Sequence, residues 1–136
     1  MSTRASIQIW ESDNPDCRRI YLYRHCDGYP DTTGRELNEL LQKNKAEWIR
    51  DDEKIATDLV RHTTPYQHPI TDRVYHDFNY EVAIAEHGDE EYKYIINART
   101  LAMTVFEKRW RNDCDEWHEV RLSDYLDEVS GSLKNK

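Results

Sequence analysis

The chain has 136 residues, 38% hydrophobic and 34% charged, with 19 Lys and Arg against 27 Asp and Glu and a formal charge of -8. That length suits one domain built on one core, spanning 1–136 with 1–3 and 131–136 frayed, and two are not expected. The acidic balance disfavours direct attachment to nucleic acid or to an anionic membrane surface, because both are polyanions.

Apolar residues are scarce, with a mean hydropathy of -0.99, so the four Trp, nine Tyr and two Phe must supply much of the burial, each ring contributing roughly 150–250 Å². Ala5, Ile7 and Ile9 alternate with Ser6, Gln8 and Trp10, the period of a strand with one buried face. Glu11 to Asp16 is a turn, and Arg19 to His25 alternates again, which predicts an N-terminal hairpin. Asp27, Gly28, Tyr29 and Pro30 end that strand, and Thr33 with Glu36 three residues on has the spacing of a capping box. A helix from Gly34 to about Lys43 buries Leu37, Leu40 and Leu41. A second helical period runs to about His62, with Asp51 and Asp52 well placed at its start.

The stretch Thr63 to Asp77 reads as a long ordered loop anchored by Tyr66, Ile70, Val74 and Tyr75, a length that is often functional. Phe78 to Ile84, Tyr92 to Ile96 and Leu101 to Val105 alternate into a three-stranded meander, with a turn at His87, Gly88 and Asp89. Val120 and Leu122 add a weak strand, and Ser123 caps a short last helix that buries Tyr125, Leu126 and Val129. The expected fold is α+β: a single antiparallel sheet of about five strands in ββααβββ order, helices on one face, and a short C-terminal helix.

Cys17, Cys26 and Cys114 are odd in number, lack CxxC spacing and follow no apolar leader, so they read as reduced thiols in a cytosol, without a disulfide. No apolar run reaches the roughly 18 residues of a membrane helix. His62, His68 and His76 are spaced too widely for a metal pair. The carboxylates Glu86, Asp89, Glu90 and Glu91 lack the spacing of a calcium loop and read as a solvated hairpin tip. No metal and no cofactor are expected. His25 and Cys26 are adjacent in a strand and point to opposite faces, and no phosphate loop, G-x-S-x-G or H-E-x-x-H occurs, so catalysis is not expected.

Thr3 to Ile7, Tyr21 to Pro30 and His87 to Tyr94 together form a T-R-A-x-I … Y-x-Y-R-H-x-D-G-Y-P … G-D-x-E-Y-x-Y pattern. It resembles a group of small proteins encoded by phages and other mobile elements. Cys26 and the late Gly34 depart from the pattern, and the C-terminal third carries none of it. The resemblance implies an anti-defence accessory protein, in the manner of CRISPR inhibitors, that binds a host complex in the host cytosol.

Two functions of different classes follow. The first is a stoichiometric inhibitor presenting an acidic, nucleic-acid-mimicking surface to a host protein or protein–nucleic-acid complex. Its candidates are Asp113, Asp115, Glu116, Glu119, Asp124, Asp127 and Glu128 as phosphate mimics, with Trp110 and Trp117 as anchors. The second is a small-ligand or nucleotide-binding protein, or a hydrolase, with a pocket formed by Arg24, His25, Asp27, Tyr29, His87 and Asp89. A homodimer is compatible with either.

Overall fold

The structure, a computed structural model, describes residues 3–47, 49–111 and 114–126, without the side chains of 110, 111, 114 and 115. The chain is α+β. Six strands form the main sheet: β1 (Ala5–Trp10), β2 (Arg19–Arg24), β5 (Glu81–Ala83), β6 (Tyr92–Asn97), β7 (Met103–Arg111) and β8 (Cys114–Val120), in the order β5-β2-β1-β6-β7-β8. Two further strands, β3 (Thr63–Gln67) and β4 (Val74–Phe78), pair only with each other. The helices are α1 (Arg35–Ala46), α2 (Asp52–Val60) and a short turn of helix, α3, over 122–126.

Ala5, Ile7 and Ile9 of β1 and Tyr94 and Ile96 of β6 meet Leu37 and Leu41 of α1 and Ile55 and Leu59 of α2 in one core. The helices therefore cover a single face of the sheet, as the alternation predicts. The sheet is not wholly antiparallel, because β1 and β6 run parallel, with Ile7 opposite Tyr94. Nor is there a hairpin at His87. Strand β5 lies at the sheet edge beside β2, and residues 84–91 cross the uncovered face to start β6 three places away. Parallel strands cannot be joined by a tight turn, and alternation alone does not reveal which strands pair.

That crossing explains why Ser6 and Gln8, expected on an open face, are buried. The Gln8 amide donates to Glu86 (2.6 Å), and Lys93 pairs with Glu86 (3.2 Å). Tyr23 donates to Asp89 (2.9 Å), and His87 stacks on the Tyr23 ring with centroids 3.7 Å apart. Glu90, buried, accepts the His87 and Gly88 N–H groups (2.8 and 2.6 Å). The acidic run is thus not a solvated tip. Three of its four carboxylates fasten the crossing segment.

The capping box does not form. Pro30–Gly34 makes one π-helical turn ahead of α1, Thr33 donates to the Asp27 carbonyl, and Glu36 turns inward to Arg24 and Tyr80. Pairing with a buried guanidinium outweighs capping one N–H. At α2 the expected cap is present: Asp51 accepts from the N–H groups of Glu53 (2.9 Å) and Lys54 (3.3 Å). Asp52, buried, receives two Arg18 hydrogen bonds of 2.9 Å each, which hold its carboxyl below its ordinary range. A lowered carboxylate pKa supports the fold at neutral pH, and that support begins to decline at about pH 4 and is lost as pH falls on through the lowered folded-state value. Melting temperature is therefore expected to fall more steeply below that pH in the wild type than in Asp52→Asn, and parallel acid profiles would remove Asp52 from the account.

Asn44 sits fully buried on the inward face of α1, and neither its amide nitrogen nor its oxygen has a hydrogen-bond partner among the described residues. Such a group costs about 1–3 kcal/mol. Asn44→Leu, which keeps the branched outline of the side chain though it is bulkier, is expected to raise stability by about 1 kcal/mol or more in urea unfolding. A loss of stability would show that the amide is satisfied in solution.

Candidate interaction surface

The segment read as a loop is a β-arm. Strand β3 is hydrogen-bonded to β4 in register from Thr63–Phe78 to Gln67–Val74, and its tip is closed by the His68 N–H to the Arg73 carbonyl (2.9 Å) and by Asp72 at φ 58°. Pro65 and Pro69 argue for a loop, but proline is tolerated on edge strands, and both strands of a two-stranded sheet are edges.

Residues 69–78 are exposed throughout. Ile70 is 86% exposed and Phe78 63%, and Tyr66, Val74 and Tyr75 are also exposed. Tyr66 faces Tyr75 across one side of the arm, while Val74 and Phe78, both even-numbered, share the other. The anchors expected to bury this segment thus point to solvent. Further along the chain, Val82 of β5 is 72% exposed and Ile84 98%. An isolated hairpin is marginal in water, and exposed apolar surface of this extent marks interaction sites.

The root of the arm is firmly held. Thr64 donates to Asn79 (3.0 Å), and the Asn79 amide nitrogen lies 2.8 Å from His62 Nδ1. Tyr80 is fully buried and donates to Glu36 (2.8 Å). Arg24, 4% exposed, donates to the same Glu36 oxygen, to the Tyr80 hydroxyl (3.0 Å) and to the Cys26 carbonyl (2.8 Å). Beside this triad a cavity of about 510 Å³ between α1 and α2 is rimmed by three acids and three bases, with His62. Its charges balance and point to no particular ligand.

The residues of the expected pocket separate. His25, His87 and Asp89 gather around Tyr23 on the open face: His25 makes an edge contact with that ring at 4.7 Å and pairs with Glu81 (3.1 Å), and Asp89 also meets Arg4 (3.3 Å). Burial and the Asp89 bond push the Tyr23 hydroxyl up to about 12. These contacts pack His25 and His87 against the Tyr23 ring. Arg24 lies on the opposite, helix-covered face. Asp27, at φ 58°, and Gly28 form the turn, and Tyr29 is half exposed, its ring centroid 5.8 Å from that of Tyr92.

The described part of the acidic stretch is not one array. Glu116 and Glu119 project from opposite faces of β8, since side chains alternate along a strand. Glu116 pairs with His118 (3.3 Å), and Asp124 with Arg121 (3.2 Å). Trp117 lies under the ammonium groups of Lys93 and Lys108, 4.5 and 5.0 Å from its ring. Asp113, Asp127 and Glu128 and the side chains of Trp110 and Asp115 lie outside the described residues, as does the Cys114 side chain; Cys17 and Cys26 are free thiols.

His62, His68 and His76 each contact a different neighbour. Among the described residues, one group of three acids, Asp51, Asp52 and Glu53, is close enough to share a cation, but Arg18 already lies against Asp52 and Glu53. No described helix is long and apolar enough to cross a membrane. No family model matches the chain, and neither a curated protein nor a solved structure matches it.

Proposed function

We propose that the chain is a stoichiometric binding protein acting in a host cytosol on a larger, basic, nucleic-acid-handling complex, with the β-arm and the adjoining β5 edge as the contact surface. The observation that carries this reading is the run of seven large apolar side chains exposed between Tyr66 and Ile84. The arm supplies anchors that lose water on contact. The charge of -8 supplies steering toward a basic partner and repels free nucleic acid. The resemblance to mobile-element proteins supports the choice of a host complex.

The test compares wild type with Ile70→Asp/Phe78→Asp. Both sites are exposed, so the fold should hold, with circular dichroism as the control. The wild type is expected to be monomeric by light scattering and to retain a purified host nucleic-acid-handling complex that the variant loses by about tenfold or more in affinity. Undiminished binding by the variant would dismiss the arm. A wild-type dimer that the variant splits would assign the arm to self-association instead.

A further inference from the structure

We infer that a cavity of about 310 Å³ on the helix-free face of the sheet is a recognition site for a guanidinium group, supplied by an arginine side chain of a partner protein. The source of the cation rests on the binding reading above, whereas the preference of the site for a cation does not.

The floor is apolar and aromatic. Trp10 ends β1, Ile95 lies in the middle of β6, and Phe106 stands on β7, all lining the cavity. Strand register places them on one face: Ile95 is opposite Gln8, two residues from Trp10, and Phe106 is opposite Lys93, two residues from Ile95. The rim carries two carboxylates, Asp13 from the β1–β2 turn and Glu119 from β8, and among the described residues no Lys, Arg or His lines the cavity.

Those carboxylates are available in different ways. The Asn97 amide nitrogen donates to one Asp13 oxygen, and the Asn97 oxygen is itself fixed by the N–H groups of Arg99 (2.9 Å) and Thr100 (3.2 Å). Asp13 is thereby held at the rim with its second oxygen uncommitted by Asn97. Glu119 is exposed and makes no ion pair among the described residues. Lys93, opposite Phe106 on β6, lies 5.6 Å from that ring at the margin of the cavity and is already paired with Glu86 at 3.2 Å.

Trp10 already serves as a cation platform within the chain. The Arg19 guanidinium lies 3.7 Å from its ring centroid, and Arg19 lines a neighbouring cavity of about 540 Å³ rather than this one. An aromatic floor beneath two carboxylates attracts a cation through the ring quadrupole and through charge-assisted hydrogen bonds together. A neutral ligand would cover the carboxylates without compensating their lost water. Guanidinium suits the site better than ammonium, because its plane can lie on an indole while its edge meets a carboxylate.

The Trp10 indole N–H, assigned by its disappearance in Trp10→Phe, reports on the site by NMR. N-acetylarginine amide is expected to shift it saturably, and the neutral citrulline analogue is not. Glu119→Gln, an exposed change that leaves the fold alone, is expected to weaken arginine binding about tenfold, in line with the loss of a charge-assisted contact. No saturable shift, an equal response to citrulline, or an unaffected Glu119→Gln would each overturn the site. A short arginine-containing peptide should bind more tightly than the free amide. If it binds more weakly, the cation is a small free molecule and the partner-protein source is wrong. The arm variant should bind arginine amide like the wild type, so failure of the arm reading and failure of this site are separable.

Discussion

Gly28→Ala is expected to lower stability by about 2–3 kcal/mol, the upper part of the range for forcing atoms into a well-packed site, which for a chain of this size is a fall in melting temperature on the order of 10 °C. A Cβ at position 28 would lie 2.9 Å from the Ala5 Cβ, 3.0 Å from the Arg4 carbonyl carbon and 3.0 Å from the Thr3 oxygen. Two of those three neighbours are backbone and cannot rotate away. Any shift of the turn also loosens the Gly28 N–H bond to the Thr3 carbonyl (3.0 Å) and the bond from the buried Tyr94 hydroxyl to the Gly28 carbonyl (2.6 Å). Thermal unfolding checks this. A variant that melts with the wild type would mean that β1 and the turn do not meet as described.

Glu36→Ala should cost about 3 kcal/mol. Removing one member of a buried ion pair typically costs about 3–5 kcal/mol, and the low end applies because the Glu36 side chain is 28% exposed. Arg24 would keep only the Tyr80 hydroxyl and the Cys26 carbonyl, with its charge deep in the fold. Replacing the whole triad by apolar groups, Arg24→Met/Glu36→Leu/Tyr80→Phe, should recover much of the loss, since no uncompensated charge remains. Urea unfolding of both variants decides the matter: a triple variant less stable than Glu36→Ala would mean that the network contributes more than its burial costs. The triad also seats the root of the arm, so Glu36→Ala should weaken partner binding, whereas the triple variant should spare it.

Local patterns carried the helices and most strands. Leu37, Leu41, Ile55 and Leu59 recur at helical spacing, and all face the core; Asp51 caps α2 where an acid was expected; Ile7, Leu22, Tyr94 and Val105 alternate into strands with one face under the helices. Two strands were missed as such. β3 carries Pro65, the tip of the arm carries Pro69, and neither strand has a buried residue, so both lack the one-sided apolar period that identifies a strand against a core. In the charged β8 the last residue alone carries a strand signal, because Glu116, Trp117, His118 and Glu119 meet water or neighbouring charges on both faces.

Composition and periodicity determined an acidic α+β domain with helices on a single face of its sheet, because a chain with so few apolar residues must place them at the repeat of its own helices and strands. Only the tertiary structure decided which strands are neighbours. β1 and β6 are far apart in sequence and run parallel, and the crossing that this requires places His87 on Tyr23 and Glu86 on Gln8. It also decided which apolar residues stay outside: Ile70 and Phe78 are as hydrophobic as the core residues, and they are exposed because a two-stranded arm has no third layer to cover it.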